Sequence, residues 1–184
     1  MKASRLIFTL LLASSIAVVQ LAAQQTKADQ KPTEEVKAKA EAGDAESEVE
    51  LALRCDKGEG VAKDQVEAVK WYRKAAEQNY AKAQYELGFC YLDGKGVPKN
   101  QVEAVKWFRK AAGQNYAKAQ FNLGICYYNG DGVSKDQVEA YKWLLLAARQ
   151  GDEHAKKNMT VLESKLTPEQ IAEGKTRARD FKPR

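Results

Sequence analysis

The heptapeptide QVEAVKW occupies Gln65–Trp71 and Gln101–Trp107, and a near copy, QVEAYKW, occupies Gln137–Trp143. Each copy begins 36 residues after the previous one. Aligned at this period, three consecutive segments match their neighbours at 21 of 36 positions: 45–80, 81–116 and 117–152. Such a period is typical of stacked supersecondary units, each of which can bury its apolar face only against the next unit.

Each unit is predicted to contain two helices. In the second unit, Lys82–Leu92 places residues of one face at helical spacing, and Asp93–Gly96 supplies the glycines of a loop. Asn100 is the predicted N-cap of the second helix, with Glu103 as its capping-box partner. Asn115 is a residue type that tolerates the left-handed conformation found after a helix, so it is predicted to end this one.

The repeated heptapeptide begins the second helix in this interpretation. Ala104, Trp107, Phe108 and Ala111 fall at positions i, i+3, i+4 and i+7, which form the buried stripe of an amphipathic helix. The three tryptophans of the repeats are therefore predicted to be core residues rather than catalytic ones.

Residues 1–23 have the layout of a secretory signal peptide. Lys2 and Arg5 precede an apolar run at Leu6–Leu12, and the segment ends in two alanines suited to cleavage after Ala23. We expect cleavage and export to the periplasm or the medium, without stable membrane insertion afterwards. The alternative is a retained anchor, although polar residues leave the stretch marginal for a span of roughly 20 residues.

The segments around the repeats are predicted to close the stack. Residues 24–32 form a flexible leader, residues 33–44 a capping helix, and residues 153–184 the C-terminal capping helices. Leu144–Leu146 replaces the Phe-Arg-Lys of the second repeat, as expected if this helix also receives a cap. Thr167–Gln170 combines an N-cap threonine with proline and glutamine, which is typical of a helix start. The buried side of this last helix is predicted to contain Ile171, Ala178 and Phe181.

Charge and cysteine content exclude some roles and leave others open. The net charge of +5 arises from 30 basic and 25 acidic residues, so it favours neither nucleic acid nor acidic membranes. Cys90 and Cys126 occupy equivalent positions, on helices expected roughly 8–10 Å apart, whereas a disulfide needs Cα atoms within about 7 Å. Together with Cys55 they are predicted to be buried packing residues. A reactive thiol or an intermolecular bridge is the alternative.

Three motifs follow one another in Ala81–Ala112: Ala-x-Ala-Gln-Tyr-x-Leu-Gly-x-x-Tyr, Gly-x-Gly-Val and Glu-Ala-x-Lys-Trp-Phe-x-Lys-Ala-Ala. The pattern resembles the Sel-one-like repeat (SLR), a relative of the tetratricopeptide repeat, over about Ala45–Asp152. The resemblance implies an all-α fold, a right-handed superhelix (α-solenoid) of three antiparallel helix-pair repeats, and a role as a protein adaptor. Some secreted relatives join neighbouring helices by disulfides near positions such as Ala76 and Gln84, which are not cysteines in this chain.

The resemblance also implies a ligand-binding face, because the first helices of tetratricopeptide-like stacks line the concave side. Ten residues of the second and third repeats occupy the ligand-facing positions: Lys82, Tyr85, Phe89, Leu92, Asp93, Lys118, Phe121, Ile125, Tyr128 and Asn129. In the first repeat the aligned residues are Glu46, Val49, Leu53 and Asp56. An extended or helical peptide is the expected ligand. The alternative is that these side chains only pack between adjacent first helices.

No residue pattern predicts catalysis. His154 is the only histidine, so no set of metal ligands is apparent, and no cofactor is expected. The loops Gly94–Gly96 and Gly130–Gly132 lack the spacing of phosphate-binding loops. We therefore predict a monomeric, non-catalytic adaptor for a protein or peptide, with no nucleic-acid role. Two alternatives are a binder of cell-wall fragments or β-lactam-type molecules with weak hydrolase activity, and a structural component of an envelope assembly.

Overall fold

The computed structural model describes residues 32–184, in which all regular secondary structure is α-helical. The predicted signal peptide and nearly all of the predicted leader lie outside the described residues. Helix α1 covers residues 32–41. Eight further helices follow: α2 Ala45–Lys57, α3 Gln65–Glu77, α4 Ala81–Asp93, α5 Gln101–Gly113, α6 Ala117–Asn129, α7 Gln137–Arg149, α8 Glu153–Glu163 and α9 Pro168–Arg179. Helices α2/α3, α4/α5 and α6/α7 pair as hairpins that stack in order, which confirms the predicted α-solenoid. Within residues 32–184, no helix combines the length and apolar character that crossing a membrane requires.

The second helix of each hairpin starts at a residue whose side chain caps it. The three N-caps accept a hydrogen bond from the backbone N–H of the third helical residue at 2.9–3.1 Å: Asp64, Asn100 and Asp136. Only one of the two hydrogen bonds of the predicted capping box forms, the one from the Glu103 N–H to the Asn100 side chain. The Asn100 N–H already donates to the Tyr91 carbonyl at 2.8 Å, and the Glu103 carboxylate accepts from Lys106 Nζ instead.

Gly96 brings the loop of the second repeat against the first. Its φ is 66°, and a Cβ there would lie 2.1 Å from the carbonyl oxygen of Gln65, at the start of α3. Gly132 repeats this approach against Gln101 at 2.2 Å. Only glycine permits both the left-handed backbone and the close contact. The glycine loops are therefore packing surfaces of the stack.

Phe108 is the central side chain of the second repeat. Phe108, Ala104 and Ala111 are all fully buried, as the predicted stripe requires. The Phe108 ring fills the space beside Gly88, where a Cβ would come within 2.6 Å of it. The small residue on α4 thus allows α5 to approach closely.

The tryptophans differ in burial although they occupy equivalent positions. Trp71 and Trp143 are buried, at 8% and 6% exposure, which confirms their predicted core role. Trp143 is covered by Phe181, whose ring centroid lies 5.5 Å away. Trp107 also packs against the core but is only half-buried, and Lys110 Nζ lies 4.1 Å from its ring centroid. Position i+3 lies at the edge of the buried stripe, so its burial depends on what covers it.

Buried amides join the repeats in a ladder. Gln84, which is 1% exposed, donates from Nε2 to the Ala76 carbonyl at 3.2 Å and to Asn79 Oδ1 at 3.0 Å. Its Oε1 accepts from Gln114 Nε2 at 2.8 Å. Gln120 makes the same three kinds of bond one repeat later. Ala76 and Gln84 are the positions at which the resemblance places a disulfide in some relatives, so here a hydrogen bond joins the same two helices.

The first repeat breaks the ladder with an acid. Glu48 stands 36 residues before Gln84 and is 3% exposed. Its Oε2 accepts a hydrogen bond from Gln78 Nε2 at 2.7 Å. Burial raises the pKa of Glu48, against the opposing effects of Lys74 and the Gln78 hydrogen bond. This carboxylate is therefore held in a site better suited to an amide.

Helix α9 covers α7 at the C-terminal end of the stack. It begins with a complete capping box between Thr167 and Gln170, as predicted. Arg177 donates to Glu139 of α7 at 3.0 Å. Leu146 is 8% exposed, which agrees with the prediction that the leucines of α7 receive a cap.

All three cysteines are buried, and no disulfide joins them. Burial raises the pKa of Cys90 to about 12 and that of Cys126 to about 11. These thiols are therefore packing residues, as predicted, and at neutral pH they are protonated.

Candidate ligand-binding groove

Helices α2, α4 and α6 present equivalent side chains on one face, which we call the inner face. It consists of positions 2, 5, 6, 9, 12 and 13 of each 13-residue helix. In α4 these positions hold Lys82, Tyr85, Glu86, Phe89, Leu92 and Asp93. Neither α4 nor α6 has a side-chain cap at its start, where tyrosine is the N-cap residue of both. One of these tyrosines instead joins the aromatic residues of the inner face.

Aromatic rings link the inner face to the core. The centroid of Tyr85 lies 5.0 Å from that of Phe89, 5.3 Å from Tyr116 and 6.0 Å from Phe108. Burial raises the pKa of Tyr85 to about 12. Part of this aromatic surface therefore holds α4, α5 and α6 together, as the packing alternative requires. Tyr85 and Phe89 remain half-buried, so the rest of each ring is accessible.

The ten predicted ligand-facing residues all retain accessible surface. Seven are half-buried: Lys82, Tyr85, Phe89, Leu92, Phe121, Ile125 and Tyr128. Three are exposed: Asp93, Lys118 and Asn129. Their contact with a ligand stays a prediction. In the first repeat, Glu46 is exposed and Leu53 and Asp56 are half-buried, but Val49 is 1% exposed and belongs to the core. Val49 packs in the core cluster that contains Ala40 and Leu51, so its neighbours cover it.

Glu86 is an inner-face residue that the sequence analysis did not single out. It is half-buried, and burial raises its pKa against the opposing charges of Lys82 and Lys118. No hydrogen bond or ion pair to the Glu86 carboxylate occurs within residues 32–184. Its position four residues after Lys82 could have indicated from the sequence that it lies on the same helix face as Lys82. A partly desolvated carboxylate without a close partner is suited to bind a cation from a ligand.

Helix α8 continues the inner face, which sequence reasoning also missed. The Tyr128 hydroxyl of α6 accepts a hydrogen bond from Lys165 Nζ at 2.5 Å. Lys165 and Lys135 place their ammonium groups 5.1 and 5.6 Å from the Tyr128 ring centroid. The Lys165 hydrogen bond and the two charges lower the pKa of Tyr128. His154 is exposed, and its ring centroid lies 6.3 Å from that of Phe121.

The inner face offers binding contacts but no assembled catalytic group. Within the range 32–184, no three His, Cys, Asp or Glu side chains are placed to share a metal ion. Partly accessible apolar and aromatic side chains lie between charged ones, and the set is spread over adjacent helices. Such a surface fits an elongated ligand that contacts several helices at once.

Several solved structures are similar to this one, among them three with 26–33% sequence identity. A Sel1 repeat protein from Oxalobacter formigenes has a TM-score of 0.70 and 33% sequence identity, covering 83% of this chain and 65% of its own. The protein c5321, a protective antigen present in uropathogenic Escherichia coli strains that displays an SLR fold, has a TM-score of 0.62 and 31% identity, covering 81% and 40%. Helicobacter pylori cysteine rich protein B has a TM-score of 0.58 and 26% identity, covering 70% and 95%. This chain thus spans less than two thirds of the first two proteins.

The repeats also match a family model. No curated protein sequence matches the chain significantly. The model described as Sel1 repeat matches residues 45–80, 81–116 and 117–152. Proteins of this kind are generally interaction scaffolds and typically non-catalytic. The matched segments make up more than half of the 184 residues, so the chain belongs to the Sel1 repeat family.

Proposed function

We propose that this protein is an exported, monomeric, non-catalytic adaptor that binds a peptide segment of a partner protein along its inner face. The observation that carries the proposal is the set of large side chains left half-buried at equivalent positions of α4 and α6, such as Tyr85, Phe89, Phe121 and Ile125. A contiguous apolar surface that the fold itself does not cover usually marks an interaction site.

The available chemistry supports binding rather than turnover. The buried thiols of Cys90 and Cys126 have raised pKa values, so they are poor nucleophiles at neutral pH. The one histidine, His154, is exposed and contacts an aromatic ring rather than a carboxylate. In the absence of an activated nucleophile among residues 32–184, the inner face acts by holding a partner.

Site-specific photo-crosslinking in the native bacterium tests the binding face. A benzophenone amino acid is placed at Lys118 or Asn129, which are exposed inner-face positions, or at Val66 or Val102, which are exposed on α3 and α5. We expect a discrete crosslinked partner from the first pair and none from the second. Equal crosslinking from both pairs, or crosslinking from α3 and α5 alone, would contradict the assignment.

Export and oligomeric state have separate tests. Cell fractionation followed by N-terminal sequencing should find a periplasmic or secreted protein that begins at Gln24. Recovery of uncleaved protein in the membrane fraction would support a retained anchor. Light scattering of the purified mature protein should give the mass of one chain.

A further inference from the structure

The inner face extends over four helices rather than three. Helix α8 begins 36 residues after α6 and therefore keeps the register of the repeats, although no repeat is matched there. It packs on α7 as α6 packs on α5. The contacts of His154 with Phe121 and of Lys165 with Tyr128 place α8 beside α6 on the inner face. The equivalent positions in α8 hold His154, Lys157, Asn158 and Val161, and the last two positions of the register fall on Ser164 and Lys165, directly after the helix ends.

One end of this face is acidic. On α2 the charged inner-face residues are Glu46, Glu50, Asp56 and Lys57, which gives a formal charge of −2. On α4 they are Lys82, Glu86 and Asp93, which gives −1. Three of these charges have local partners: Glu50 pairs with Arg54, Lys57 with Glu59, and Asp93 with Lys95. Glu46 and Glu86 have no ion pair within residues 32–184.

The other end is basic. Lys118 is the only charged inner-face residue of α6, and Lys157 and Lys165 are those of the α8 positions when His154 is neutral. The formal charges are therefore +1 and +2. None of these lysines forms an ion pair with a carboxylate in the described part of the chain. Formal charge along the inner face thus rises from −2 on α2 through −1 and +1 to +2 on α8.

We propose that the ligand is a dipolar peptide segment, with basic side chains over α2, acidic side chains over α8 and apolar side chains between them. This inference rests on the proposed function. Charge complementarity of this kind selects partners and fixes their orientation more than it raises affinity. The apolar centre matches Tyr85, Phe89 and Ile125, which lie between the two charged ends.

The size of the face sets the length of the segment. Neighbouring helices lie roughly 8–10 Å apart, so four of them span about 24–30 Å. An extended chain covers about 3.3 Å per residue, so about seven to nine residues reach from α2 to α8. A second copy of this chain is also charge-complementary when antiparallel, and the oligomeric state distinguishes that occupant from a peptide.

Defined peptide libraries test the inference. Each nonapeptide has two charged residues at either end and five random apolar residues between them. The dipolar libraries carry lysine at one end and glutamate at the other, in both chain directions, and the control libraries carry lysine or glutamate at both ends. We expect immobilised protein to retain one or both dipolar libraries roughly tenfold over the controls, and 0.5 M NaCl to remove the difference.

Matched variants locate the two ends. Lys157→Glu should lower retention of the dipolar peptides roughly threefold, whereas Lys156→Glu, on another face of α8, should change it less than twofold. Glu46→Lys should act like Lys157→Glu, with Glu41→Lys at the end of α1 as its control. A photo-crosslinker at the glutamate end of the peptide should label α8 and not α2.

The outcomes separate this inference from the proposed function. If the uniformly charged libraries are retained as well as the dipolar ones, and inner-face crosslinks still form, the dipolar ligand is wrong and the binding face stands. If no library is retained and the inner face forms no crosslinks in the bacterium, both are wrong. A dimer that dissociates in high salt during analytical ultracentrifugation would assign the face to a second copy and overturn the peptide ligand.

Discussion

Replacing Glu48 by glutamine should stabilise the protein at neutral pH. At the equivalent position of the second repeat, Gln84 donates a hydrogen bond to the Ala76 carbonyl. The matching carbonyl for Glu48 is that of Ala40, and an ionised carboxylate has no proton to donate to it. The new amide can keep the bond from Gln78 and add this one. One buried hydrogen bond contributes about 1 kcal/mol, and removing a desolvated charge adds to it. We expect a gain of about 1–2 kcal/mol, or about 2–8 °C in Tm for a chain of this size.

The gain should depend on pH with a definite sign. Burial raises the pKa of Glu48 above its ordinary value of 4.5, so the folded state binds a proton more tightly than the unfolded state. The wild type is therefore penalised in full above the folded pKa and relieved as pH falls toward 4.5. Protonated Glu48 can also donate to Ala40. The stability difference between E48Q and the wild type should shrink on acidification.

Urea unfolding followed by circular dichroism at pH 7.5, 5.5 and 4.0 measures both effects. Glu46→Gln is the matched control, because Glu46 lies on the same helix but is exposed, and it should change stability by less than about 0.5 kcal/mol. Equal stability of E48Q and wild type at pH 7.5, or a difference that widens toward pH 4.0, would refute the reasoning.

Three further predictions concern packing. Gly96→Ala should lower the free energy of unfolding in urea by at least about 2 kcal/mol, because its Cβ would meet the Gln65 carbonyl oxygen at 2.1 Å. Gly113→Ala, at a helical site with open space, should raise it by up to about 1 kcal/mol. Similar effects of both changes would contradict the packing described. Gln84→Ala should cost about 2–3 kcal/mol because it removes three hydrogen bonds of a buried side chain, and a loss under 0.5 kcal/mol would show that the ladder is not structural. Cys90, with a pKa of about 12, should not react with a thiol reagent at pH 8 until the protein is denatured, and rapid labelling of native protein would contradict its burial.

The repeated pattern made the fold predictable in detail. A 36-residue period with apolar stripes, caps and glycines in the same places three times constrains each helix by its two copies. Local chemistry such as the Thr167 capping box was also predictable, because all its members are neighbours in sequence. Features that depend on what covers a side chain were not. Trp107 and Trp143 occupy the same repeat position, but only Trp143 is covered by Phe181.

The candidate groove shows the same boundary between local and non-local information. Its α4 and α6 residues follow from position within a repeat. The character of Glu86 does not, because one carboxylate on a helix face is indistinguishable from a solvated one until the neighbouring helices are placed around it. The burial of Val49 was missed for a similar reason, since alignment gives its position in the repeat but not the side chains that pack over it.

Helix α8 shares the packing residues of the repeats but not their motifs. Its sequence has lost the motifs by which a repeat is identified, so family matching ends at residue 152. It has kept the 36-residue register and the small buried residue Ala155, which is 0% exposed, because those are what stacking on α7 requires. The inner-face positions in the register of α8 include two lysines and no acid, whereas those of α2 include three acids. A capping helix that keeps only the packing signature of a repeat can therefore close the stack while giving the inner face a charge that the repeats alone do not supply.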